Sequence, residues 1–183
     1  MKYNQIELIE FFEHNRSWQL AYQQEKSIIA KTLNKDIVEI QHIGSTAIPG
    51  LAAKPIIDIL IAVERFTPDD KYSCQLHLIG YHHQPEASST DRLFFWKGTP
   101  RTHHIHIVEY GKGIYWRHIL FRDYLRNHRE IALQYEAMKR KMALKFCSDK
   151  VAYAESKTQF IDSVVELAKQ INSDRSLANN HHI

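Results

Sequence analysis

One carboxylate, Asp58, stands inside the apolar run PIIDILIAV at 55–63. Extended backbone alternates its side chains, so Ile56, Asp58, Leu60 and Ala62 share one face and Ile57, Ile59, Ile61 and Val63 the other. An acid in either layer is costly unless it is paired, hydrogen-bonded or near water. Asp58 falls near the start of the strand, where its face can open onto a cleft; the alternative is a structural Asp capping a nearby turn. Upstream, Gly44-Ser45-Thr46 follows an alternating segment directly. Small residues let backbone N–H groups converge on an anion, and the two hydroxyls add donors. Gly-Ser is also a common plain turn. Lys54, just before the Asp58 strand, offers a point charge to a phosphate.

A second cluster lies in HHIHI at 103–107. On a strand, His104 and His106 point the same way and His103 and Ile105 the other. Two imidazoles at i, i+2 can approach one metal or one phosphate, and either suits acid–base work near neutral pH. The bland reading is a half-exposed strand with two solvated histidines. Glu109 falls on the opposite face. In WRHILFRDYLRNH, Arg122 and Arg126 share a helical face, and Asp123 can pair with Arg126 at i, i+3. Arg122 is the best placed of these to reach an anionic ligand. The basic run Lys139-Arg140-Lys141 and the i, i+4 pair Tyr153 and Lys157 read mostly as surface or intramolecular charge.

These residues need elements to hold them. The first 34 residues read as helical, in one run with Ile6, Ile9 and Phe12 and a second started by Ser17. Residues 36–43 alternate as a strand with Val38, Ile40 and His42 on one face. Residues 55–64 form a strand apolar on both faces, as a central strand should be. Pro68-Asp69-Asp70 starts a short helix that Gly80 closes. Residues 81–91 carry loop chemistry, 92–97 and 102–110 are strands, and helices cover 114–127, 129–147 and 150–172, the last started by Asp149. Grouped strands with helices segregated in sequence predict an α+β fold: a mixed sheet of four to five strands flanked by N-terminal and C-terminal helices. Residues 1–172 read as one domain and 173–183 as a flexible tail.

The chain of 183 residues can bury a core without a metal or disulfide. No window approaches the roughly 18 apolar residues of a membrane span, and the N-terminus lacks the apolar stretch of a secretory signal. Cys74 and Cys147 are far apart, in no metal or redox spacing, and read as two buried small hydrophobes. A reduced, cytoplasmic protein is expected. A formal net charge of +3 suits an anionic small ligand but is too weak for a nucleic-acid groove. The oligomeric state is not legible.

The stretch HIGSTAIPGLAAKPIIDILI at 42–61 resembles the signature of the GrpB (UPF0157) family. RTHHIHIVE, FRDYLR and the later Tyr153-x-x-x-Lys157 resemble it in the same order, over roughly residues 16–170. The resemblance implies a branch of the nucleotidyltransferase superfamily, and the family also occurs fused to dephospho-CoA kinase. In active nucleotidyltransferases a Gly-Ser turn holds the triphosphate, and strands supply carboxylates for two divalent ions that activate the attacking oxygen and neutralise the leaving group. Gly44 and Ser45 match the turn and Asp58 the first carboxylate. The second carboxylate position is Leu60, which cannot bind a metal. A metal held by Asp58, His104 and His106 would favour Zn²⁺ or Mn²⁺ over a Mg²⁺ pair.

Two functions follow as expectations. One is a nucleotidyl- or phosphoryl-transfer enzyme, in which Gly44, Ser45, Thr46, Lys54, Arg122 and Lys157 hold phosphates. Asp58, His104 and His106 would then act as catalytic groups or metal ligands. The other is a binding module that keeps the phosphate turn, lacks the metal pair, and takes a nucleotide or CoA-like molecule. Leu60 favours the second and the clustered histidines the first. A histidine phosphoesterase is weaker, since no second matched histidine motif is evident.

Overall fold

The computed structural model describes residues 10–33, 37–67, 71–146 and 149–179. Its centre is a five-stranded mixed sheet built from β1 (Ile37–Ile43), β2 (Ile57–Val63), β3 (Tyr81–His83), β4 (Arg92–Lys97) and β5 (His103–Glu109). The strand order is β1-β2-β5-β4-β3. β2 and β5 are parallel, and every other neighbouring pair is antiparallel. Helices α1 (Ser17–Leu33) and α2 (Ser73–Leu78) precede and interrupt the strands. After them come α3 (Gly113–Asn127), α4 (Arg129–Lys145), α5 (Lys150–Glu155) and α6 (Thr158–Asn179). This is the expected α+β arrangement.

Alternation on β2 and β5 gives the sheet two unlike faces. Ile57, Ile59, Ile61 and Val63 join Ile105, Ile107 and Phe95 in the largest core cluster, together with Trp18, Tyr22 and Ile29 of α1 and Leu76 of α2. On the other face Leu60, Ala62 and Val108 meet Tyr115 and Ile119 of α3. A third cluster joins Ile48 and Leu51 of the loop after β1 to Phe121, Leu125, Tyr135, Val164 and Val165. That cluster ties the loop to the C-terminal helices.

Several local expectations change. Phe12 is not helical: its backbone N–H and C=O pair with Ala53 at 2.9 and 3.0 Å, so residues 10–15 form a non-helical strap held at Phe12 beside the loop before β2. Ile6 and Ile9 lie outside the described residues. Asn15, not Ser17, caps α1, its Oδ1 accepting the Ser17 N–H at 2.9 Å. β3 occupies the start of the expected loop 81–91; its three residues alternate too briefly for a period to show. The single helix expected over 150–172 is two, α5 and α6. α6 runs through Asn179, so the tail expected from 173 is helical that far. Asp149 does start α5, accepting from the Val151 and Ala152 N–H groups. Pro68-Asp69-Asp70 lies outside the described residues, while Gly80 closes α2 at φ +86° with its N–H on His77 O. Cys74 is exposed rather than buried, and Cys147 lies outside the described residues. Among the described residues no helix is long and apolar enough to cross a membrane.

Phe95 is 0% exposed in the main cluster and Leu78 is 83% exposed. Phe95→Ala is expected to cost about 3–5 kcal/mol in urea unfolding, against about 0.5 kcal/mol or less for Leu78→Ala. Equal costs would mean that the sheet face toward α1 is not the main core.

Candidate functional site

The parallel register of β2 and β5 sets Asp58 opposite His104 and Leu60 opposite His106. Parallel neighbours in register project to the same side, so Asp58, His104 and His106 share the face toward α3. His104 Nδ1 lies 3.0 Å from Asp58 Oδ1, and His106 Nε2 lies 3.9 Å from the same oxygen. The Phe94 ring of β4 packs on both imidazoles, with its centroid 5.0 Å from His104 and 5.1 Å from His106. Burial alone would raise the Asp58 carboxyl, but hydrogen bonds and charge from the two histidines outweigh it and hold the group well below the usual carboxylate range. Burial in turn keeps the His106 imidazole below its ordinary value despite Asp58. Asp58 is therefore ionised and His106 neutral near pH 7.

The turn after β1 fits closely around that carboxylate. Ile43, the last residue of β1, pairs with Asp58. Gly44 follows at φ +70°, ψ −173°, a conformation that other residues rarely adopt. A Cβ built on Gly44 would collide with the Asp58 side chain. Glycine here serves both the backbone and the space. Ser45–Ala47 then forms a single 3₁₀ turn.

A cavity of about 790 Å³ opens against this turn. Ser45, Lys54, Asp58, His104 and Lys157 line it, together with Arg101, Lys139 and Tyr153. The strap contributes Glu10, Phe11 and Phe12. Lys54 and Lys157 lie 4.6 and 4.5 Å from the Tyr153 ring centroid, so the Tyr153/Lys157 pair does meet although the break between α5 and α6 falls between them. Burial pushes the Tyr153 hydroxyl up to about 12 and the Lys157 ammonium down, the latter opposed by Asp58.

Two expected ligand groups are engaged elsewhere. Thr46 borders the cavity, but its hydroxyl donates to Ile56 O at 3.1 Å and lies 3.0 Å from His42 Nε2. Burial drives His42 down to about 4, so that ring is neutral. Arg122, expected to reach an anion, does not line the cavity. Its guanidinium binds both Asp123 carboxylate oxygens at 2.7 and 3.1 Å, Gln41 Oε1 at 2.8 Å and His42 O at 3.0 Å, and so fastens α3 to β1. Arg126 completes the expected pair with Asp123 at 3.6 Å and donates to Ala47 O at 2.9 Å.

The residue that sequence reasoning placed on the surface is Lys139. It is 3% exposed, and its Nζ donates to Ser45 Oγ at 3.0 Å and Ala52 O at 2.8 Å. Glu136, one turn earlier, accepts the Ala52 N–H at 2.8 Å, so α4 grips both polar groups of one peptide residue. Burial, reinforced by Lys157 and Arg140 and opposed by Glu136 and Asp58, lowers the Lys139 ammonium to about 7. The available signal was spacing: Lys139 shares a helical face with the buried Ala132, Tyr135 and Ala143, while Arg140 and Lys141 are exposed.

The donor set does not fit a resident metal. Leu60 is 0% exposed beneath α3, so no second carboxylate stands on β2. His104 Nδ1 contacts Asp58 at hydrogen-bond distance, putting a ring N–H where a shared ion would sit. Among the described residues no three His, Cys, Asp or Glu side chains converge as metal ligands.

The model of the GrpB protein family matches residues 8–167. The chain belongs to the GrpB family. The glutamate-rich protein GrpB of Alkalihalophilus pseudofirmus is 36% identical over 159 residues, a match covering 83% of this chain and 91% of that protein. UPF0157 protein YqkA of Bacillus subtilis is 37% identical over 172 residues, 93% of this chain, yet the chain spans only 50% of YqkA's length. The crystal structure of the conserved protein GrpB from Enterococcus faecalis superposes with a TM-score of 0.80 at 32% identity, covering 89% of this chain and 99% of that one. In this GrpB-family chain the stretch 42–61 is therefore the structural unit that brings Ser45, Lys54 and Asp58 to one cavity, with Gly44 packed against the Asp58 side chain.

Because the Asp58 carboxyl is depressed in the folded state, the unfolded chain takes up that proton first as pH falls. The stability it contributes is present above the unfolded value near 4 and is lost below it. Asp58→Asn should be about 1–2 kcal/mol less stable than wild type at pH 7, with the difference shrinking in urea unfolding below pH 4. An equal difference at pH 7 and pH 3 would remove the ionised carboxylate from this account. Gly44→Ala should lose more than about 1 kcal/mol, combining backbone strain with the collision at Asp58.

Proposed function

We propose that the cavity binds a phosphate-containing small molecule, a nucleotide or CoA-like compound, and that this GrpB-family protein acts first as a binding module. The observation that carries the reading is the convergence of Lys54, Arg101, Lys139 and Lys157 with the Ser45 hydroxyl on one cavity. Cavities of this size, with a few placed polar groups and one aromatic wall, are the usual form of a small-ligand site. Lysine and arginine supply the charge-assisted donors that phosphate oxygens take. The nucleotidyltransferase-like ancestry that the resemblance implies would set a phosphate at Ser45 in its Gly-Ser turn.

Nucleotidyl or phosphoryl transfer is the second reading, favoured by the Asp58–His104 contact at the cavity wall. It is the weaker of the two. A carboxylate held well below its usual range is a poor general base, and His104 Nε2, the nitrogen turned away from Asp58, is buried. On this reading a divalent ion would arrive with the ligand.

Thermal unfolding with ATP or CoA, each with and without Mn²⁺, separates the readings in wild type and Asp58→Asn. A ligand at a hundred times its dissociation constant adds about 2.7 kcal/mol of stability. The binding module predicts metal-independent stabilisation that persists in Asp58→Asn. Metal-dependent stabilisation lost in Asp58→Asn would instead support transfer. Absence of any shift with either ligand would sink both.

A further inference from the structure

The sheet register carries the site beyond the walls of its cavity. Asp58 of β2 pairs with His104 of β5, His104 with Trp96 of β4, and Trp96 with His82 of β3. Residues directly opposite each other on neighbouring strands project to one face, so Trp96 and His82 continue the row that begins at Asp58. The other face of β4 is occupied: Phe95 joins the main core and Lys97 Nζ binds Glu25 of α1 at 2.8 Å. Farther along the strands α3 covers the row's own face at Leu60, Ala62 and Val108. At this end of the sheet Trp96 is only half-buried and His82 is exposed, with their ring centroids 4.8 Å apart. The row is a shelf of rings that starts at the cavity wall.

Arg101 joins that shelf to the cavity. It lies in the turn between β4 and β5, is exposed, and lines the cavity beside Pro100. Its guanidinium carbon stands over the Trp96 ring, 4.8 Å from the centroid, and its Nη2 donates to Gln84 Oε1 at 3.1 Å. A guanidinium is planar, delocalised and weakly hydrated, so it stacks on aromatic faces as an ammonium does not. With a ring on one side, such a plane can take a second flat π-system on the other. Arg101 thereby differs from the lysines of the cavity, which offer point charges.

We propose that Arg101, held flat by Trp96, is the stacking surface for the nucleobase of a ligand whose phosphates lie at the Ser45 end of the cavity. The inference rests on the phosphate reading above and narrows it to base-bearing phosphates, excluding sugar phosphates and polyphosphates as preferred ligands. Trp96 lies two strand spacings, about 10 Å, from Asp58 along the row, a reach that a ribose and its phosphates can bridge. His104 sits between the two ends, paired with Asp58 on one side and Trp96 on the other. Arg101 is the binding residue and Trp96 a positioning residue that acts through it. Stacking reads the face of a base rather than its edge, so the shelf separates base-bearing ligands from bare phosphates far better than one base from another.

ATP and inorganic tripolyphosphate separate the base from the phosphates, because tripolyphosphate carries the higher charge and no plane. Both would be titrated calorimetrically into the full chain at pH 7 with EDTA present, and melting curves of each variant establish that it is folded. Wild type should bind ATP at least about tenfold tighter than tripolyphosphate. Arg101→Lys keeps the charge and removes the plane. ATP affinity should then fall at least about fivefold, while tripolyphosphate affinity changes by no more than about twofold. Trp96→Leu, which leaves the guanidinium without its backing ring, should show the same split. Equal affinities in wild type, an ATP preference that survives either substitution, or an equal loss of both ligands in Arg101→Lys would each overturn the assignment while leaving phosphate binding intact. Phe12, 48% exposed on the strap, is the rival plane at the cavity; a preference lost in Phe12→Ala and kept in Arg101→Lys would move the base there. Failure of both ligands in wild type would overturn the phosphate reading and this inference with it.

Discussion

The parallel pairing of β2 with β5, in the register that sets Asp58 beside His104, is the constraint on which the rest of the site depends. A one-residue slip would send Asp58 into the isoleucine layer packed on α1 and turn Ile57 or Ile59 toward the cavity. The register is fixed from both sides. Ile57, Ile59 and Ile61 face the main core, and Leu60, Ala62 and Val108 face α3. Only the first polar position of the strand escapes enclosure, and that position holds the carboxylate. Gly44 then follows, because the chain leaving β1 passes so close to Asp58 that no side chain fits between them.

The same carboxylate gives the surrounding cations their common focus. Asp58 favours the charged forms of both Lys139 and Lys157, while burial opposes them. A buried lysine without any nearby acid would be strongly disfavoured. Lys139 is tolerated because Ser45 Oγ and Ala52 O accept its protons and because Glu136 and Asp58 lie within electrostatic reach. Its structural role and its place in the cavity are inseparable. By holding Ala52 from α4, it fixes the loop that joins the Ser45 turn to β2, and it puts its own charge at the wall of the cavity.

Four of the five strands were legible because each carries an alternating or doubly apolar pattern of six or more residues. β3 was not: three residues give alternation too little length to register, and its partner β4 supplies the reason it is a strand. The positions of Ser45, Asp58 and His104 were likewise readable, since a turn and a strand fix them locally. Lys54 and Lys157 do face the cavity, whereas Arg122 does not. Which cation turns inward is decided by packing between α3 and β1, or between α4 and the loop at Ala52, across separations of 81 and 87 residues that no local pattern encodes. Lys139 in a basic triplet looks like surface charge until the buried face of α4 is known. The early phenylalanines looked helical because spacing alone cannot reveal that Phe12 pairs with Ala53.

Leu60 is best understood as part of the same packing. It stands two residues after Asp58 on the same face, where a second metal-binding acid would have to stand, and it is sealed by Tyr115 and Ile119 of α3. An Asp there would be enclosed beneath the apolar side chains of α3, and its desolvation cost would fall on the strand at the centre of the sheet. Room for a pair of ions would require α3 to move off β2. Yet α3 is fastened to the neighbouring β1 by Arg122, through Gln41 and the His42 carbonyl. The absent second carboxylate and the inward-turned arginine are thus two sides of one arrangement. This sheet face is closed over Leu60 and reaches the cavity at Asp58 and His104, so a single fixed acid of β2, not a pair, stands at the cavity wall.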